Sequence, residues 1–91
     1  MRTSLFLVEC FWPGVTRAQV EAANARARAA AGERGTSLRF VGSLLVPGDE
    51  VVWFQFTAGS SDEVVRTSRE AKLPFDRVAE SLWLGTRGDS R

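Results

Sequence analysis

Apolar residues are distributed along this chain with two different periods. Four segments are rich in Val, Leu, Phe and Trp, as strands are, and two intervening segments place small side chains every three or four positions, as amphipathic helices do. The pattern predicts strands at residues 4–12, 37–46, 51–58 and 76–84, and helices at residues 16–33 and 60–73. The inner face of the first helix is nearly all alanine, so we expect it to lie close against a sheet.

Local signals mark the ends of these elements. Thr16 with Gln19, and Ser60 with Glu63, match capping boxes at the two helix starts. Pro74 follows the second helix and prevents its continuation. Residues 47–50, Pro-Gly-Asp-Glu, predict a type II turn that joins the second and third strands into a hairpin.

The element order is strand, helix, strand, strand, helix, strand. This order predicts an α+β, ferredoxin-like βαββαβ fold, in which a four-stranded antiparallel sheet carries both helices on one face. We expect a single domain over residues 1–85 and a polar tail at residues 86–91. The sheet face without helices needs a cover, and the simplest one is a second copy, giving a homodimeric α+β barrel with a cavity between the sheets.

Alternation along the strands predicts which side chains point to the face without helices. The wholly apolar sets should lie under the helices and the mixed sets should lie opposite. The expected mixed sets are Leu5, Leu7, Glu9 and Phe11 from the first strand, Arg39, Val41, Ser43 and Leu45 from the second, and Val51, Trp53, Gln55 and Thr57 from the third. For the fourth strand the pattern leaves open whether Ser81 with Trp83, or Glu80, joins them.

Glu9 is the one charge within an otherwise apolar first strand. In an apolar cavity, desolvation would raise the pKa of this carboxyl and suit it to general acid or base catalysis. The alternative is a structural ion pair of Glu9 with Arg39 or Arg77. We predict that a ligand beside Glu9 would be contacted by Arg39, Ser43, Trp53, Gln55, Thr57 and Trp83.

Composition excludes several classes of function. Twelve basic and eleven acidic residues give a net charge of +1, which argues against a nucleic-acid partner. The chain has no histidine, so it cannot supply histidine-dependent nucleophilic catalysis or histidine-ligated zinc. The single cysteine, Cys10, and the lack of an 18-residue apolar run favour a cytoplasmic protein without a membrane span.

Short motifs along the chain resemble a small family found largely in actinobacteria. Three stretches carry the resemblance: Phe6-Leu7-Val8-Glu9 followed by Pro13-Gly14 and Thr16, residues 58–65, and residues 73–78. The family is a ferredoxin-like domain of unknown function that includes a nickel-binding member, and the resemblance spans about residues 5 to 82. It implies the fold predicted above, with dimerisation through the sheet.

The chain departs from that family where the family has polar or metal-binding groups. Cys10 stands in place of an Arg, Leu44 in place of a Tyr, and Phe56-Thr57 in place of Tyr-Glu. These changes favour a small hydrophobic organic ligand in the cavity, with a cofactor-independent isomerase or cyclase as a possible enzyme class and no cofactor or metal ligand assigned. Two alternatives stay open: binding of nickel or another divalent metal by Glu9, Asp76 or Glu80 of paired subunits, and a protein-interaction domain that uses the bare sheet face.

Overall fold

Four strands and two helices are formed by residues 2–33 and 37–85, the parts of the chain that this computed structural model describes. The elements are β1 (Ser4–Phe11), α1 (Arg17–Glu33), β2 (Arg39–Val46), β3 (Val51–Ala58), α2 (Ser61–Glu70) and β4 (Arg77–Ser81). The strands form one antiparallel sheet in the order β2-β3-β1-β4. This is the ferredoxin-like arrangement that the element order predicts; the predicted tail at residues 86–91 lies outside the described residues.

Both helix starts carry the predicted caps. The backbone N–H of Gln19 donates to Thr16 Oγ1 at 3.1 Å, and Thr16 N–H donates to Gln19 Oε1 at 2.8 Å. At α2, Glu63 N–H donates to Ser60 Oγ at 3.3 Å, while the Glu63 carboxylate accepts from Gly59 N–H, one residue earlier than the usual capping box requires. Each cap satisfies backbone donors that the first helical turn leaves unpaired.

The predicted turn type after β2 and the predicted ends of α2 and β4 are wrong, and α2 ends at Glu70 instead of residue 73. Residues Pro47–Asp49 form a single 3₁₀ turn, not a type II turn, and the left-handed position is Glu50, with φ of 55°. The last strand ends at Ser81 instead of residue 84. It ends there because Ser81 already pairs with Leu5, one residue from the start of β1, so β1 offers almost no backbone beyond that point.

The core lies between the sheet and the two helices. Every second residue of β1 and β3 is buried there, as the alternation predicts: Phe6, Val8, Cys10, Val52, Phe54, Phe56 and Ala58. Helix α1 contributes mainly small side chains to this core, including Ala23 and Ala27. A fully buried Phe such as Phe54 contributes about 1.5–3 kcal/mol to folding through removal from water. We call this helix-covered side the covered face and the other side the open face.

Strand β2 contains an irregularity that the alternation does not predict. Phe40 pairs with Phe56 and Gly42 with Gln55, so Val41 is an extra residue without a partner of its own, a β-bulge. Beyond the bulge, the side-chain order is shifted by one residue. Positions 42, 44 and 46 therefore share the open face, and positions 43 and 45 lie on the covered face, the reverse of the prediction for that half of the strand.

Backbone hydrogen bonds hold together the end of the sheet at which β1 finishes. Trp12 N–H donates to the carbonyl oxygen of Glu50 at 2.7 Å, and the Glu50 carboxylate accepts from Gly14 N–H at 2.8 Å. On the other side of β1, Asp76 N–H donates to the Glu9 carbonyl at 2.7 Å, and the Asp76 carboxylate accepts from the backbone N–H at residue 11. No helix in the described residues is both long and apolar enough to cross a bilayer.

Candidate functional site

The open face carries most of the large apolar side chains that remain in contact with solvent. Phe11, Leu44 and Val46 lie on it, and Val41 flanks it at the bulge, with exposures of 36–57%. The segment Leu82–Leu84, which follows β4 at the sheet edge, is more exposed still, at 63–82%. A concentration of exposed apolar side chains on one face usually marks an interface or a ligand site. The open face is therefore the candidate functional surface.

Glu9 lies on the open face and is already paired. It sits between Trp53 on β3 and Arg77 on β4. Arg77 Nε donates to Glu9 Oε1 at 2.7 Å, with the Glu9 side chain 28% exposed and the Arg77 side chain 61% exposed. Of the two roles considered for Glu9, the structure shows the ion pair with Arg77. The other partner considered, Arg39, pairs with Thr57 at the opposite end of the face.

A pocket of about 370 Å³ lies on the open face, at the end where β1 begins. Its walls are Leu5, Val41, Gln55, Thr57 and Trp83. Leu5 and Thr57 are direct cross-strand partners, and Gln55 is two residues along β3 on the same face. Trp83 comes from the segment after β4. Three of the predicted ligand-contact residues, Gln55, Thr57 and Trp83, thus share one pocket.

Glu9 is not among the residues that line the pocket, although it lies near one of its walls. Leu5 and Glu9 are four residues apart on β1, a distance of about 13 Å at the rise of an extended strand. Thr57 and Trp53, their partners on β3, are separated by the same number of residues. A general acid or base must approach the reacting group within hydrogen-bond distance. Glu9 is therefore too far from the end of the pocket at Leu5 and Thr57 for that, but it lies nearer the Gln55 wall, because Gln55 is only two residues from Trp53, about 7 Å along the strand. Trp53 lies beside Glu9 and outside the pocket walls.

The prediction that Ser43 contacts a ligand on the open face is wrong about the face. Because of the bulge, Ser43 pairs with Phe54 on the covered side of the sheet. Its hydroxyl donates to Asn24 Oδ1 of α1 at 2.8 Å. This bond ties β2 to the helix. The sequence did contain a signal of the shift, since a glycine inside a strand pattern, here Gly42, often marks a bulge.

Cys10 lies on the covered face, and it is buried. Burial raises the pKa of its thiol to about 12, and the negative charges of Asp76 and Glu9 add to the effect. A thiol in this state is a poor nucleophile, because the thiolate is the reactive species. Cys10 is therefore a core residue, as its position in the apolar set of β1 predicts.

The carboxylates considered as metal ligands point to different places. Glu80 pairs with Phe6 and so belongs to the side of the sheet opposite Glu9. The Asp76 carboxylate already accepts a backbone hydrogen bond from Phe11. Within residues 2–33 and 37–85, no three Cys, Asp or Glu side chains come together as a metal-binding group.

A second and larger groove, of about 650 Å³, lies between the two helices on the far side of the molecule. Arg26 in its wall is already used in the fold, since its Nε donates to the carbonyl of Ala71 at 2.7 Å and so satisfies the end of α2. The other charged walls carry both signs: Glu33, Glu63, Arg66, Glu70 and Lys72. Mixed charges on surface side chains are typical of a solvated groove, so we place the functional site on the open face.

Comparisons with known proteins identify a shared fold. No protein-family model and no curated protein matches the chain. Among solved structures it is similar to SCO4226 from Streptomyces coelicolor A3(2), with 17% sequence identity and a TM-score of 0.76 over 90% of this chain and 100% of that chain. At this identity the likeness shows the fold alone.

Proposed function

We propose that the protein is a homodimer joined through the open face, and that it binds a hydrophobic organic molecule in the pocket beside Trp83. The observation that carries the proposal is the concentration of exposed apolar side chains on the open face and on Leu82–Leu84. A pocket with few polar groups among apolar walls is the usual composition of a small-molecule site.

The size of the open face supports a second copy as its cover. Three strands of eight residues and one of five, about 4.8 Å apart and with ~3.4 Å per residue, give a face of roughly 500 Å². Two such faces in contact bury about 1,000 Å² in total, the lower limit for a specific interface. The exposed segment Leu82–Leu84 adds to this area. Small domains of this length also gain much of their stability by association.

The proposal is one of binding, with Glu9 assigned to its ion pair. A catalytic role for Glu9 would require a ligand that extends about 7 Å along the strand beyond Gln55 and that replaces Arg77 as the partner of the Glu9 carboxylate. An enzyme activity that is retained in full by a folded Glu9→Gln variant would agree with this assignment. Metal binding has no supporting geometry among the described carboxylates.

Native mass spectrometry of the protein purified from its own source tests both parts of the proposal. We expect a dimer that carries a small organic molecule. A dimer that carries a metal ion instead would favour the metal alternative, and a bare monomer at high concentration would favour an interaction domain that awaits another protein.

A pair of charge substitutions locates the interface. Leu44→Lys places a cation on the open face, where Leu44 is 57% exposed, and should make the protein monomeric. Ala22→Lys places the same charge on the solvent side of α1 and should leave the dimer intact. Sedimentation velocity distinguishes the two outcomes. If both variants remain dimeric, the open face is not the interface.

A further inference from the structure

The polar groups of the pocket indicate what kind of molecule it accepts. Gln55 and Thr57 both lie on β3, two residues apart and on the same face, so their side chains stand about 7 Å apart along the strand. Both side chains are half-buried. Neither forms a hydrogen bond to another residue of the described ranges, although each can donate and accept. Two unused hydrogen-bonding groups in an otherwise apolar pocket are available to a ligand.

The walls of the pocket carry no formal charge. They consist of two aliphatic side chains, one amide, one hydroxyl and one indole. A carboxylate or ammonium group buried among them would lose its hydration without a counter-charge, which costs several kcal/mol. Arg39 lies next to Thr57 in the sheet, but it is outside the pocket walls, and its Nη1 donates to the backbone carbonyl of Leu38 at 3.1 Å. The pocket therefore favours an uncharged molecule.

The residues that line the pocket favour a flat ligand with an amide group. Trp83 contributes a planar indole, and Leu5 and Val41 contribute aliphatic side chains. Aromatic rings stack well on such a surface. The amide of Gln55 presents one donor and one acceptor, the complement of the acceptor and donor of another amide. We propose that this pocket binds an uncharged aromatic carboxamide or lactam, with its ring against Trp83 and its amide paired to Gln55 and Thr57; this inference rests on the proposed function.

Two probes with the same ring system, one a neutral amide and the other a carboxylate, test the ligand class. The probes are 2-naphthamide and 2-naphthoate, which share the same ring system, and binding is measured by titration calorimetry on the purified full chain. We expect 2-naphthamide to bind at least tenfold more tightly than 2-naphthoate. Gln55→Leu should weaken the binding of 2-naphthamide about tenfold. One net hydrogen bond contributes about 1 kcal/mol, and the ligand amide left without a partner adds to the loss of affinity.

Matched tryptophan substitutions locate the binding event. Trp83→Leu should abolish measurable binding of 2-naphthamide, whereas Trp12→Leu, at a residue that is outside the pocket walls and packs against the core, should leave it within about twofold. Circular dichroism on each variant establishes that the loss is not a loss of fold. Thr57→Val, which keeps shape and removes the hydroxyl, provides a second variant that should weaken binding without altering the fold.

The outcomes separate this inference from the proposed function. Preferential binding of 2-naphthoate, with loss on Trp83→Leu and on Arg39→Gln, would overturn the uncharged class and keep the pocket as the ligand site. Binding of neither probe by a dimer that carries another organic molecule in native mass spectrometry would also overturn the amide class alone. Binding of neither probe by a protein that purifies bare and monomeric would overturn both.

Discussion

The two faces of the sheet are built from the same strands but differ in how far their apolar side chains are buried. In β3, Val52, Phe54 and Phe56 are completely buried under the helices, while their neighbour Trp53 remains partly exposed on the open face. The difference is not one of hydrophobicity, since Trp53 and Leu44 are as apolar as the covered residues. It is one of cover: the helices protect one face, and the described chain leaves the other face to solvent. Apolar residues that fold the domain and apolar residues that await a partner can thus be told apart only by their surroundings.

The largest test of this comparison is a pair of truncations, one on each face. Phe54→Ala removes a fully buried ring from the covered face and should lower the free energy of unfolding by about 3–5 kcal/mol. Leu44→Ala removes an exposed side chain and should cost less than about 1 kcal/mol when measured below the dimer dissociation constant. Urea denaturation at two protein concentrations gives both values. Equal losses at low concentration would mean that the open face is packed within a single chain.

Deletions in β2 test whether the bulge assigns residues to the two faces. Removal of Ser43 moves Leu44 into the place beside Asn24 and draws Pro47 out of its turn, so we expect a loss of about 2–3 kcal/mol. Removal of Val41 only straightens the strand, because that residue has no partner in β3, and should cost about 1 kcal/mol or less.

The control for these deletions is the Ser43–Asn24 contact. Amide exchange rates in α1 should be the same in the parent chain and in the chain that lacks Val41. Ser43→Ala should also lower the free energy of unfolding by the same amount in both chains. A chain that lacks Val41 and is less stable than one that lacks Ser43 would contradict the assigned register.

Alkaline pH should weaken the covered face through Cys10. The pKa of its thiol is raised from 9.0 to about 12 in the folded state, so the folded chain keeps a proton that the unfolded chain releases above about pH 9. The stabilisation is complete below pH 9 and is lost as pH rises toward 12, by about 1.4 kcal/mol per pH unit. At pH 10.5 the loss should be about 2 kcal/mol, measured by urea denaturation against the same curve for Cys10→Ala. The window is simple to interpret because the chain has no tyrosine. Parallel curves for the two proteins would contradict this assignment.

The smallest effect is expected at the Glu9–Arg77 pair of the open face. Because Arg77 is mostly solvent-exposed, the pair should contribute about 0.2–1 kcal/mol. A double-mutant cycle with Glu9→Gln and Arg77→Gln measures this coupling directly. The coupling should decrease in 0.5 M salt, as screening requires. A coupling above about 2 kcal/mol that is insensitive to salt would indicate that the pair is buried in the dimer.

The accuracy of prediction from sequence depended on regularity. Strands β1 and β3 have no bulge in their pairing, so alternation predicts the correct face for their side chains, including Glu9 and Thr57. For β2 the predicted faces are wrong beyond Val41, because a single extra residue moves every later side chain to the other face. Alternation alone does not indicate where such an extra residue is inserted. Gly42 was the only local sign, and a glycine in a strand equally often marks a tight bend or the close approach of another backbone.

The candidate site was predicted in its parts and not in its arrangement. Alternation along the strands predicts Gln55 and Thr57 as ligand contacts, Trp83 is predicted as an aromatic contact, and the structure places the three in one pocket. The choice of Arg77 over Arg39 as the partner of Glu9 follows from the pairing of β1 with β4, which alternation within one strand does not give. Leu5 lines the pocket because it pairs with Thr57 across the sheet, and Val41 lines it as the extra residue of the bulge.

The bulge in β2 also determines which positions of this strand can carry engineered surface groups. Counting every second residue from Arg39 would choose positions 39, 41, 43 and 45 for solvent-facing handles, and the last two would be directed into the interior. The outward sequence is 39, 41, 42, 44 and 46, with two adjacent positions at its centre. Of the two adjacent positions only 41 can readily carry a side chain, because Gly42 has a φ of 156°, which strains any other residue, so new groups belong at 39, 41, 44 and 46.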